Sequence, residues 1–120
     1  MSKGLILVAD DDSAIRTVLN QALSRAGYDV RVTSNAATLW RWVSAGDGDL
    51  VVTDVIMPGM DGPSWVREAL KDRPNTRVVF VSGYSEEGLS VERDRIPDSI
   101  FLPKPFSLVD LTATVQRQLQ

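Results

Sequence analysis

Leu5-Ile6-Leu7-Val8-Ala9-Asp10-Asp11-Asp12 decides the fold. A short unbroken apolar run closed by acidic turn residues reads as a β-strand buried on both faces. Just downstream the period changes. Ile15, Val18, Leu19, Ala22, Leu23 and Ala26 recur at three- and four-residue spacing. That predicts a helix with one apolar stripe, capped by Asp12 or Ser13 and stopped at Gly27.

The same alternation of periods continues outward. Asp29-Val30-Arg31-Val32-Thr33 predicts a second strand. Asn35 can cap a second helix, with Ala36, Leu39, Trp40 and Val43 on its buried side and Gly46 and Gly48 ending it. Leu50-Val51-Val52-Thr53, closed by Asp54, is a third strand. The loop from Met57 to Gly62 is dense in turn residues, and Pro63 suits the first position of a third helix carrying Trp65, Val66, Ala69 and Leu70. Arg77-Val78-Val79-Phe80-Val81 and Ile100-Phe101-Leu102 predict the fourth and fifth strands. Ser107 and Asp110 make a capping-box-like start to a last helix, with Leu108, Leu111, Val115 and Leu119 facing inward. Strands alternating with helices imply an α/β fold with a doubly wound, five-stranded parallel sheet. Right-handed crossovers leave few topologies, and strand order 2-1-3-4-5 is one of the two common ones.

Composition narrows the chemistry. A length of 120 residues fits one domain, spanning residues 1–120, with no repeat or linker. With no Cys there is no disulfide, thiolate metal site or cysteine nucleophile. With no His there is no Ser-His-Asp triad, His-ligated zinc or His general base. The formal charge of -3 and the lack of a basic run argue against direct nucleic-acid binding. No apolar stretch approaches the ~20 residues that span a bilayer, and Met1-Ser2-Lys3 leads straight into strand 1, so a cytoplasmic protein is expected.

In such a sheet, function sits at the carboxyl ends of the strands. Strand 1 ends in Asp10-Asp11-Asp12, strand 3 in Asp54, strand 4 in Ser82-Gly83, and strand 5 in Lys104 between Pro103 and Pro105. All lie on one edge. Two carboxylates ~4 Å apart repel by roughly 4 kcal/mol at an effective dielectric near 20, so something should neutralise them. Oxygen-only donors suit a hard cation, and Mg²⁺ better than a Ca²⁺ cage. Asp12 has a competing explanation as a plain helix cap. A nucleotide or flavin site would want Gly- or Ser-rich backbone after strand 1, and no phosphate-binding glycine motif is present. The edge therefore points to a metal and a phosphoryl group held together.

Four motifs carry a family resemblance. They are Val8-Ala9-Asp10-Asp11-Asp12-Ser13, Thr53-Asp54-Val55-Ile56-Met57-Pro58-Gly59-Met60-Asp61-Gly62, Val81-Ser82-Gly83 and Leu102-Pro103-Lys104-Pro105-Phe106. Each is weak alone; in this order and spacing they are specific. Over essentially its whole length the chain resembles the receiver domain of two-component response regulators, which implies a flavodoxin-like receiver fold. The resemblance implies that Asp54 accepts a phosphoryl group from a histidine kinase or histidine phosphotransfer protein. It implies a Mg²⁺ site built from Asp10, Asp11, Asp54 and the Ile56 backbone carbonyl, with Asp11 the more direct ligand of the acidic pair. Ser82 becomes the hydroxyl switch, Phe101 the aromatic switch and Lys104 the family lysine. A cis peptide between Lys104 and Pro105 is also implied. Ser82 and Phe101 stand where Thr and Tyr are commoner, and Phe101 lacks a phenol hydroxyl. The N-terminal half looks most like receivers of nitrogen-regulation activators. The part from Asp61 onward looks more like receivers of hybrid histidine kinases, as a chimera would.

The resulting expectation is a phosphoacceptor domain in a phosphorelay, not an enzyme with its own substrate, that assists its own phosphorylation and dephosphorylation. An effector or output domain is expected to lie outside this chain, which would be a monomer or weak dimer. The alternative is a receiver-like interaction module that does not use phosphate; it would normally have lost the acceptor, an acidic residue or the lysine. A metal-dependent phosphatase would want a second aspartate at position 56, which is Ile. Trp40 and Trp65 are expected in the core and Trp42 off the main stripe. Residues 85–97, with Gly88, Pro97 and few apolar residues, are expected to be the least stable segment and the one that responds to phosphorylation.

Overall fold

The computed structural model describes residues 3–54, 56–57, 60–61, 77–82, 100–103 and 107–119. Its elements are β1 (Leu5–Ala9), α1 (Ser13–Arg25), β2 (Asp29–Thr33), α2 (Ala36–Ser44), β3 (Leu50–Asp54), β4 (Ile56–Met57), β5 (Met60–Asp61), β6 (Arg77–Ser82), β7 (Ile100–Pro103) and α3 (Leu108–Leu119). The five longer strands form one sheet in the order β2-β1-β3-β6-β7, parallel throughout. This is the expected 2-1-3-4-5 order. The third helix expected from Pro63, the segment 85–97 and the Lys104–Pro105 peptide lie outside the described residues.

Local chemistry explains where the first two helices begin and end. Asp12 is extended (φ -88, ψ 115) and accepts from the Ala14 and Ile15 amides, so it is the cap and Ser13 the first helical residue. Asn35 does the same for α2 through Ala37 and Thr38. Both helices close with the same six-residue pattern. Tyr28 N–H donates to Leu23 O and Gly27 N–H to Ser24 O; Asp47 N–H donates to Trp42 O and Gly46 N–H to Val43 O. These bonds satisfy carbonyls that a helix end leaves open, and they need a left-handed residue, which Gly27 (φ 102) and Gly46 (φ 93) supply. Ser107 Oγ accepts from the Asp110 amide at 3.0 Å and starts α3.

Side chains alternate across the sheet. Ile6, Val8, Leu50, Val52, Val79 and Val81 form one core with Leu19 and Leu23 of α1 and Leu111 and Val115 of α3. Leu7, Val51, Val78 and Phe80, equally buried, take the opposite face. A right-handed crossover from β2 over β1 to β3 carries α2 to that second face, where it buries Leu39 and Val43. The central strands are covered on both sides, as their unbroken apolar runs require.

Three stripe positions differ from expectation. Val18 and Leu108 are each 41% exposed and Trp40 is 42% exposed. Each flanks a narrower buried row: Leu19 and Leu23, Leu111 and Val115, Leu39 and Val43. Four-residue spacing fills the contact, and the next residue round the helix faces outward. Trp42, half-buried, lies under the Arg31 guanidinium at 5.2 Å from the ring centroid, and Arg31 also pairs with Asp47 at 3.1 Å. The loop after β3 holds an unforeseen antiparallel ladder, Ile56 opposite Asp61 and Met57 opposite Met60. Among the described residues, no helix is long and apolar enough to cross a membrane.

Candidate phosphoacceptor site

The site is assembled by register. Ala9 pairs with Thr33 on β2 and with Thr53 on β3. Asp10 and Asp54 each follow by one residue, so two carboxylate-bearing positions leave adjacent strands side by side. Neighbouring strands lie about 4.8 Å apart. Asp54 in turn pairs with Val81, which places Ser82 one step further along β6. Ser82 pairs with Pro103, the last residue of β7 and the one before Lys104. Lys104 and Gly83 themselves lie outside the described residues. Phe101 sits in β7 opposite Phe80, and Ile56 opens β4 two residues beyond Asp54.

The three consecutive aspartates have three different environments. Asp10 is fully buried. Its Oδ1 accepts from the Asp12 amide at 3.0 Å, its N–H donates to Thr33 O at 3.2 Å, and its carbonyl accepts from Arg16 Nη1 at 2.7 Å. Asp11 is exposed, at the tip of the turn. Asp12 is occupied as the α1 cap, accepting from Ala14 at 2.9 Å and Ile15 at 3.4 Å. Asp12 therefore serves as the helix cap, the simpler of its two explanations.

The donor set fits a hard cation. The described residues at this edge offer carboxylate and carbonyl oxygens, and a chain without His or Cys has no imidazole or thiolate ligand. Among the described residues, no three Asp or Glu side chains gather into a metal cluster. Arg16 escaped the sequence reading. Its partner is a backbone carbonyl, which leaves no mark in a sequence; the one available signal was an arginine in the first turn of an otherwise apolar-striped helix beside an acidic turn.

The molecule is a doubly wound parallel α/β protein in which two adjacent central strands run into acidic residues at one edge of the sheet. Comparison with known proteins then identifies the family. The response regulator receiver domain model matches residues 6–116, and the chain belongs to that family. It is 53% identical over 119 residues to the DNA-binding transcriptional regulator NtrC of Rhizobium meliloti (strain 1021), covering 99% of this chain and 25% of that protein. It is 37% identical over 117 residues to the sensor kinase CckA of Brucella abortus (strain 2308), covering 96% of this chain and 12% of that protein. Both likenesses therefore extend over both halves of the chain. Among solved structures, a CheY-like response regulator receiver domain from Methanospirillum hungatei JF-1 superposes with a TM-score of 0.87 at 28% identity, covering 96% of this chain and 92% of that one. The chain spans about a quarter of the length of the NtrC proteins it matches.

Proposed function

We propose that this receiver domain, taken as one unit over residues 1–120, accepts a phosphoryl group on Asp54 from a histidine kinase or histidine phosphotransfer protein. The observation that supports this best is the register of the central strands: Asp10 and Asp54 leave adjacent strands at the same level, Ser82 ends the next, and Lys104 follows the one beyond. In the transfer an Asp54 carboxylate oxygen forms a bond to phosphorus. The phosphorus–nitrogen bond of the donor's phosphohistidine breaks, and its electron pair stays on the imidazole. Both reacting groups are anionic, so catalysis rests on positioning and charge neutralisation. Lys104 neutralises one phosphoryl oxygen and the Ser82 hydroxyl donates to another. Asp10, Asp11, Asp54 and the Ile56 carbonyl would hold Mg²⁺, which when bound offsets the remaining repulsion.

The reading brings further parts with it. The domain assists its own phosphorylation and dephosphorylation but turns over no separate substrate. It works in the cytoplasm, as a monomer or weak dimer, and passes its state to an output domain or partner. Ser82 and Phe101 relay that state along β6 and β7 towards residues 85–97. Labelling with a small acyl phosphate in Mg²⁺ tests the assignment. The native chain should be labelled once and Asp54→Asn not at all, with the variant still folded. Undiminished labelling of Asp54→Asn, or none of the native chain, overturns it.

A further inference from the structure

β1 ends at Ala9, and the chain turns at Asp10 into the acidic stretch. The carbonyl of Asp10 belongs to the peptide plane that joins Asp10 to Asp11. A planar peptide moves as one body, so whatever holds that carbonyl also sets where the Asp11 α-carbon stands, and with it the point from which the Asp11 side chain projects. What holds it is Arg16. From one turn inside α1 its half-buried guanidinium reaches back six residues and donates from Nη1 at 2.7 Å. The plane before it is tied by the Asp10 N–H to Thr33 O bond. Asp10 is thus fixed on one side by the sheet and on the other by α1.

We propose that Arg16 is a positioning residue for the cation site: its hydrogen bond to the Asp10 carbonyl orients the peptide that presents Asp11 to a divalent cation. This rests on reading the acidic turn as a Mg²⁺ site. A guanidinium suits the task because its rigid fork loses little freedom per bond formed, whereas a lysine ammonium turns on a flexible stem. The role is distinguishable from a charge effect by its sign. A cation near two carboxylates competes with Mg²⁺, so removing Arg16 should tighten Mg²⁺ binding if charge were all that mattered. Removing a positioning residue should weaken it.

The test is a Mg²⁺ titration followed by the backbone amide resonances of Asp10 to Ser13, with a denaturant midpoint measured for each protein. Arg16→Met should bind Mg²⁺ about tenfold more weakly than the native chain, in the range found when partners supporting metal ligands are removed. Arg16→Lys keeps the charge and one donor and should fall between the two. Unchanged or tighter binding by a folded Arg16→Met overturns the proposal, whatever happens to the midpoint. If Arg16→Met does not fold, Arg16→Lys decides: native-like Mg²⁺ affinity overturns it and weaker affinity supports it. A native chain whose acidic-turn resonances ignore Mg²⁺ overturns the metal-site reading itself, and the proposal with it.

Discussion

Asp11 and Asp12 are adjacent, identical and both exposed, yet the structure places them in different surroundings. Asp12 accepts two amides at the start of α1, so Asp12→Ala should lower stability by about 1 kcal/mol in denaturant unfolding. Asp11 caps nothing, so Asp11→Ala should leave the unfolding midpoint nearly unchanged and weaken Mg²⁺ binding far more than Asp12→Ala does. Equal effects on Mg²⁺ would mean that the acidic pair lies one residue later. Gly46 and Gly48 make a second instructive pair. Both have positive φ, +93 and +87, but a Cβ on Gly46 meets nothing within 4 Å, whereas one on Gly48 would lie 2.7 Å from Leu7 side-chain carbons. Gly46→Ala should therefore lose about 1–2 kcal/mol through backbone strain alone. Gly48→Ala should lose that plus about 1–3 kcal/mol for displacing a fully buried leucine. Matching unfolding energies for the two variants would show that Leu7 moves aside freely.

At the scale of elements, α1 offers a direct contrast. Leu19 is fully buried and Val18, its neighbour, is 41% exposed. Leu19→Ala should lower stability by about 2–5 kcal/mol. Val18→Ser should stay within about 0.5 kcal/mol, as surface substitutions do. The boundaries of these elements were legible because they depend on short-range chemistry: Asp12 and Asn35 accept amides two and three residues away, and Gly27 and Gly46 sit where a left-handed turn is needed. The strands were legible because burial on both faces leaves an unbroken apolar run. The width of each helix stripe was not legible, since it depends on how far the neighbouring layer reaches; Val18, Trp40 and Leu108 are apolar and correctly spaced but uncovered. The ladder of Ile56–Met57 with Met60–Asp61 was hidden because two residues cannot display a period. At the site, the strand-end positions of Asp10, Asp54 and Ser82 followed from topology. The Arg16 bond to a backbone carbonyl did not, because every residue has a carbonyl.

For the molecule as a whole, the proposed cation site would tie cation binding to folding. A ligand that binds only the folded state stabilises it by about 2.7 kcal/mol at one hundred times its dissociation constant. Saturating Mg²⁺ should raise the unfolding midpoint of the native chain, and that rise should be lost in Asp11→Ala. No change in the native chain would contradict a folded-state cation site. Hydrogen exchange with a phosphoryl mimic is the companion measurement for residues 85–97. Faster exchange there than in β1 and β3, altered by the mimic, is the expected result. The sheet order has a further consequence, for the chain during its synthesis. β1 is flanked by β2 on one side and by β3 on the other, and β3 begins only at Leu50. Until the ribosome has released about fifty residues, β1 can pair along one edge only. Its other edge, Ile6 to Ala9, stays an uncovered run of backbone donors and acceptors on the most apolar strand of the sheet. Emergence of Leu50 to Asp54 covers that edge. It also brings Asp54 beside Asp10, so the step that covers this edge of β1 also assembles the acidic edge, and the exposed edge passes to β3 until β6 emerges.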